Sequence, residues 1–142
     1  MPMSESLGDA DVVALWPDPL RIRTPAHGSQ VRVVRRRLSR WLHSDHLDPD
    51  VVDDLVMAAS EALENCCDHA FAGSADSGMM TLTAHTSDAT LVITVADDGS
   101  WQEAPTESGN RGRGLAMMRE LVDDVAIESG PQGTHLALTH HY

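Results

Sequence analysis

The apolar residues of this chain change period partway along, and that switch restricts the fold more than any other feature. From Val31 to Leu42, and again from Val52 to Ala70, they recur at helical spacing; from Met80 to Thr86 and from Thr90 to Ala96 they alternate. A chain that buries one stripe per helix and one face per strand lays helices on a sheet, so the expected class is an α/β two-layer sandwich. Leu20 to Thr24 reads as a short strand. A first helix follows with Ser29 as its N-cap and Val31, Val34, Leu38, Trp41 and Leu42 inward. Asp48-Pro49 opens a long second helix, a capping carboxylate before a proline at the first helical position. Its inward stripe is Val52, Leu55, Val56, Ala59, Ala62, Leu63, Cys66 and Ala70. Gly73 to Gly78 is a turn-rich break, and residues 86–89 join the two alternating segments as a hairpin. A loop over residues 97–113 leads to a short helix, Leu115 to Val122. Strands Val125 to Glu128 and Thr134 to Thr139 flank a Gly130–Gly133 turn. Residues 1–18, acidic and containing Pro17, read as a flexible tail, and residues 19–142 as one domain.

Composition removes several function classes. The chain of 142 residues has no lysine, which excludes a Walker-A loop, the strand lysine of eukaryotic-type protein kinases and a Schiff base. The two cysteines, Cys66 and Cys67, are adjacent and cannot staple distant segments, which suits a reducing compartment. The eight histidines show no ligand spacing beside a thiolate or carboxylate cluster, so structural zinc is not expected. Apolar runs such as Leu55 to Ala59 fall far short of the ~20 residues of a membrane helix, and the acidic N-terminus shows no signal peptide. The expectation is a cytoplasmic protein without a membrane partner. A net charge of −12 argues against direct nucleic-acid binding. Charge is nevertheless segregated: residues 21–43 hold seven arginines and no acid, whereas residues 44–110 hold 14 acids and no arginine. The arginine segment is either a solvated helix face or a surface for an acidic partner or a second subunit, the latter a possible homodimer.

Four short segments carry chemistry. In Ser60-Glu-Ala-Leu-Glu-Asn-Cys-Cys-Asp-His-Ala70, helical geometry puts Glu61, Asn65 and Asp68 in one sector opposite the apolar stripe. That sector is a solvated face or a metal–phosphate site, with Asn65 giving Mg²⁺ one hard oxygen and Glu61 free to act as a base. In Val95-Ala-Asp-Asp-Gly-Ser100, Asp97 ends a strand, where it can accept from an exocyclic amine such as adenine's, and Gly99 permits close approach of a ligand. An ordinary turn has the same composition. In Gly109-Asn-Arg-Gly-Arg-Gly-Leu-Ala-Met117, glycines precede a helix whose N-terminus suits an anion, and Arg111 and Arg113 are the nearby cations for a triphosphate. In Gly133-Thr-His-Leu-Ala137, the Thr134 hydroxyl can hold a water or a base edge, although threonine is common in strands.

Taken in this order, the segments resemble the GHKL ATPase superfamily, specifically the small anti-sigma-factor serine kinases of the RsbW and SpoIIAB type, over about Leu20 to Leu138. Glu61-x-x-x-Asn65 with His69 is similar to the N box, Asp97-x-Gly99 to the G1 box, Gly112-x-Gly114 to the G2 box, and Gly133-Thr134 to the closing Gly-Thr. The resemblance implies the Bergerat fold, a mixed, mostly antiparallel sheet with three main helices on one face. It implies ATP and Mg²⁺ as cofactors, with Glu61 the general base, Asn65 the metal ligand and Asp97 the adenine reader. Gly99, Arg111, Gly112, Arg113, Gly114 and Thr134 would complete the nucleotide site. The implied function is a serine-protein kinase and anti-sigma factor that phosphorylates a STAS-type anti-anti-sigma protein and regulates a sigma factor. Where the family has a second glycine in its G1 box this chain has Trp101, and the lid, Ser100 to Arg111, is short. Both features favour the alternative, a nucleotide-binding sequestering module with little or no kinase activity. A two-component histidine kinase needs an upstream helical hairpin with a phospho-accepting histidine, and residues 1–28 leave no room for it.

Overall fold

The computed structural model describes residues 18–43, 47–73, 78–98, 109–130 and 133–142, except the side chains of residues 69–73 and 109–113. Most of the tail, the Gly99 and Trp101 positions, most of the lid, and parts of the 73–78 break and the 130–133 turn lie outside the described residues. The elements run β1 (Leu20–Pro25), α1 (Gly28–Leu42), α2 (Pro49–Gly73), β2 (Met79–Ser87), β3 (Thr90–Asp97), α3 (Gly109–Leu121), β4 (Asp124–Gly130) and β5 (Gly133–His141).

Helix α1 buries the five residues its spacing selects, Val31, Val34, Leu38, Trp41 and Leu42. Its start differs from expectation: His27, in extended geometry with φ −120° and ψ 143°, is the N-cap, and makes no side-chain capping bond. Ser29 lies inside the first turn because the His27 carbonyl already accepts from Gln30 N–H at 2.8 Å, closing the turn before Ser29 can cap it. At the other end Trp41 Nε1 donates to the Asp18 carbonyl at 2.9 Å and anchors the chain just ahead of β1. Helix α2 starts as read, with Val52 N–H donating to the Asp48 carbonyl at 3.0 Å. Its 25 residues span about 37 Å, long enough to run beneath the sheet and support both other helices. Val52, Leu55, Ala59, Ala62, Leu63 and Cys66 are buried on its stripe, joined by Ala58 and Cys67. Buried Ser60 returns its hydroxyl to the Val56 carbonyl at 2.8 Å, so it leaves no orphan in the core.

The sheet has the order β1-β2-β3-β5-β4, and every neighbouring pair is antiparallel. The parallel pairing that a mixed sheet would contain is absent among the described strands for a topological reason. The α3 crossover carries the chain from β3 to an edge strand, β4, running in the same direction, but β5 then inserts between the two. Alternation along the strands buries Ile22, Leu82, Ile93, Val95, Leu136 and Leu138 toward the helices, each fully buried side chain contributing about 1.5–3 kcal/mol. The other face is rich in threonine, with Thr83 and Thr94 paired across β2 and β3 through their hydroxyls. Asp88 and Ala89, with φ of 48° and 62°, form the two-residue turn of the β2–β3 hairpin, the primed geometry that matches strand twist.

Candidate functional site

At one end of the sheet, β3 finishes on Asp97, which is 8% exposed and lies in register with Thr134 of β5. The approach of the two strands depends on Gly133. With φ +127°, a Cβ there would stand 2.0 Å from the Asp97 carbonyl oxygen, so a side chain would push β5 off β3. This close approach buries Thr134 to 8% exposure, and its Oγ1 has no hydrogen-bond partner among the described residues. Asp97, Thr134, Gly133, Ser129 and Gly130 line an open groove of about 410 Å³. A buried hydroxyl left without a partner costs free energy unless a ligand or water meets it, so Thr134 presents an open hydrogen-bonding group next to Asp97.

The two aspartates of the Asp97-Asp98 step divide their work, as strand alternation requires. Asp98 points the other way: its Oδ1 accepts from Met79 N–H at 2.8 Å, and its Oδ2 lies 3.5 Å from the Arg23 guanidinium. Its backbone N–H returns a 3.2 Å bond to the Met79 carbonyl. Asp98 therefore clamps the ends of β1, β2 and β3 together and keeps Asp97 in place. The sequence reading gave it no part.

Helix α2 presents the second half of the site. Glu61 and Asn65 are half-buried one turn apart, with Glu64 and Asp68 exposed around them. Burial, and then the neighbouring charges of Glu64 and Asp68, push the Glu61 carboxyl above the usual carboxylate range. Its cover is α3: a Cβ on Gly114 would stand 2.8 Å from Glu61 Oε2. The structure thus brings Glu61 and Gly114 together, and separately Asp97 and Thr134.

The glycine-rich segment departs from the reading. Helix α3 opens at Gly109, so Arg111, Gly112, Arg113 and Gly114 are helical and not a loop ahead of a helix at Leu115. Glycine costs a helix about 1 kcal/mol relative to alanine. Buried Met118 and part-buried Leu115 anchor the next turn on the core, and Gly114 gains its close packing on Glu61. The unpaired N–H groups of the helix N-terminus consequently belong to the turn that opens at Gly109, nearly two turns earlier than expected. The side chains of Arg111 and Arg113, and Gly99, lie outside the described residues.

Cys66, next to Asn65 on α2, is buried, and burial first, then the Asp97 charge, push its thiol up. Cys67 is pushed up to about 11, by burial first and then by Asp68 and Glu64. Neither thiol is a reactive thiolate at neutral pH. Among the described residues no three His, Cys, Asp or Glu side chains form a metal cluster. Asn65 presents a half-buried side-chain amide oxygen, a hard donor, on the same face as Glu61. No helix among the described residues is long and apolar enough to cross a membrane.

The arrangement agrees with comparisons to known proteins. The family model for the histidine kinase-like ATPase domain matches residues 24–140. A serine-protein kinase RsbW of Listeria innocua is 28% identical over 130 residues, covering 81% of this chain and 82% of the relative. An anti-sigma F factor of Caldanaerobacter subterraneus is 29% identical over 109 residues, covering 67% of this chain and 75% of the relative. Among solved structures, the RsbU and RsbW domains of a Mycobacterium tuberculosis protein match at a TM-score of 0.71 and 31% identity. That match covers 88% of this chain and 32% of the longer one, so this chain spans about a third of it. With the family match running from β1 to the end of β5, this protein belongs to the histidine kinase-like ATPase domain family.

Proposed function

We propose that residues 19–142 form an ATP-dependent serine-protein kinase and anti-sigma factor that phosphorylates a STAS-type anti-anti-sigma protein and thereby regulates a sigma factor. The observation that carries this reading is the half-buried Glu61, held under Gly114 with Asn65 on the next turn of the same helix. Glu61 takes the proton of the partner's serine hydroxyl as its oxygen bonds to the γ-phosphorus of ATP and the bond to ADP breaks. Asn65 holds Mg²⁺, which when bound supplies charge neutralisation at the phosphates. Asp97 accepts from the adenine amine, and the Thr134 hydroxyl meets the base edge or a water beside it. Gly99 gives the backbone room at the nucleotide, and the first turns of α3, Gly109 to Gly114 with Gly112, Arg111 and Arg113, bring the helix N-terminus and two cations to the phosphates.

The partner surface is the arginine face of α1. Arg32, Arg35, Arg36 and Arg40 line an open groove of about 680 Å³, and among the described residues none has an ion-pair partner. An acidic protein surface matches that charge.

Phosphate transfer from labelled ATP to a cognate STAS protein, paired with nucleotide titrations, tests the roles. Glu61→Ala should bind Mg-ATP at near wild-type affinity yet lose about 10²–10⁴-fold in transfer. Asn65→Ala should lose affinity as well as rate. Transfer by Glu61→Ala at the wild-type rate would remove the base assignment. A wild-type protein that binds its partner tightly and transfers nothing would establish the sequestering reading, which Trp101 and the short lid favour.

A further inference from the structure

Helix α1 carries the densest charge in the chain, and nothing among the described residues balances it. Arg32, Arg35, Arg36 and Arg40 are exposed along the groove beside Val56 of α2, none in an ion pair among the described residues. Two large apolar side chains are exposed close by in sequence. Val33 lies on α1 next to Arg32 and one turn from Arg36, and Met57 follows Val56 on α2. The surface therefore suits a segment that is acidic and partly apolar, and the chain, with a net charge of −12, contains one.

Residues 1–17 lie outside the described residues, but their sequence has the complementary character. They hold three acids, Glu5, Asp9 and Asp11, no basic side chain, and the apolar residues Leu7, Val12, Val13, Leu15 and Trp16. Their point of attachment is fixed. Trp41 Nε1 donates to the Asp18 carbonyl at 2.9 Å, which holds the start of the described chain at the end of α1 that bears Arg40 and His43. From there the groove follows α1, whose 15 residues rise about 22 Å, and passing round the helix adds about 12 Å. Seventeen residues reach as far as about 56 Å, so length does not prevent the match. We propose that residues 1–17 dock in the arginine groove of α1 and compete there with the acidic partner. This rests on the reading of the groove as the partner surface and adds to it an occupant from the same chain. Exposed ion pairs are individually weak, so the docked segment is one that a partner can displace. Tethering compensates, because it presents the segment to the groove at about millimolar effective concentration.

The test uses the full chain with Glu5→Gln, Asp9→Asn and Asp11→Asn combined, which removes the charge and leaves every core residue in place. The first readout needs no partner: the nuclear magnetic resonance signals of the arginine Nε–H groups and of the Met57 methyl. Wild type and variant should differ at low ionic strength and converge near 1 M salt, where the screening length is about 3 Å. Superimposable signals at low salt overturn the docking. The difference should survive tenfold dilution; one that fades places the segment on a second copy and overturns the intrachain assignment. The second readout is affinity, by calorimetry, for a polyglutamate peptide and for a cognate STAS protein. An intrinsic dissociation constant of about 0.1–0.5 mM for the tethered segment weakens a competitor about three- to tenfold. The neutralised variant should bind both probes more tightly by that factor, and an unchanged polyglutamate affinity overturns the competition. Arg36→Glu with Arg40→Glu on the neutralised background separates this inference from the reading beneath it. Both affinities should fall. If polyglutamate binding falls and STAS-protein affinity does not, the groove is not the partner surface and competition with that partner is overturned, while the docking read from the resonance signals stands.

Discussion

Gly114→Ala separates stability from function more sharply than any other change at this site. The new methyl would stand 2.8 Å from Glu61 Oε2, 3.2 Å from Cγ and 3.3 Å from Cδ. All three are closer than an unstrained contact, so the Glu61 side chain must move along most of its length. Glycine to alanine in a helix gains about 1 kcal/mol. Forcing the carboxylate off its rotamer costs about 0.5–1.5 kcal/mol. The two nearly cancel, and the melting temperature should move by about 4 °C or less. Catalysis has no such cancellation. A displacement near 1 Å at a reacting group costs about 100-fold in rate, so transfer at saturating ATP should fall by one to two orders of magnitude. Thermal denaturation and the labelled-phosphate assay on the same preparation give both numbers. Wild-type transfer by Gly114→Ala would show that Glu61 does not work from beneath α3. A collapse of stability would show that Gly114 serves packing alone.

Because burial and the Glu64 and Asp68 charges raise the Glu61 pKa, the acid limb of the transfer rate should lie above the usual carboxylate range and the rate should fall as pH drops through it. Glu64→Ala should leave the neutral-pH rate alone and move that limb to lower pH; an unmoved limb would place another group at the titration. By the same sign, ionised Glu61 opposes folding at neutral pH, so the opposition is relieved as pH falls through its raised pKa and Glu61→Gln should raise the melting temperature at pH 7. Reversing Arg36 and Arg40 to Glu should weaken partner association, most at low ionic strength, where screening is least; unchanged affinity there would leave the arginine face without a partner role. Ala89→Gly should stabilise the protein by about 1 kcal/mol, since Ala89 occupies φ 62°, a region costing an L-residue roughly that much; no gain in melting temperature would mean the turn relaxes otherwise.

What was legible in the sequence was local. Each buried residue of α1 follows from its spacing, and Asp48-Pro49 starts α2 where a capping carboxylate and a fixed φ should start it. The hairpin follows from alternation on both sides of a polar turn. The errors lie where two local rules compete. Ser29 is the better capping side chain, but the chain leaving Pro25 closes its first turn on the His27 carbonyl. The Gly109–Gly114 run has weak helix propensity, and its helix is held by Met118 below and Glu61 alongside, contacts that no propensity expresses. Within the site, Glu61, Asn65, Asp97 and Thr134 were named from motif order, but their pairings were not. That Gly133 lets β5 approach Asp97 depends on the insertion of β5 beside β3, a topological fact absent from any short stretch of sequence.

That topology also shows how one helix can address two neighbours at once. On α2, Glu61 and Asn65 lie one turn apart, with Glu61 beneath Gly114 of α3, and Cys66, the next residue, is buried in the core. Successive residues of a helix differ by about 100° in direction, so Asn65 and Cys66 address different neighbours from almost the same height. Asp98 holds the sheet side of this arrangement fixed through Met79 and Arg23, and buried Leu63 and Ala62 hold the helix side. The spacing between Glu61 on α2 and Asp97 on β3 is therefore set by packing in the core.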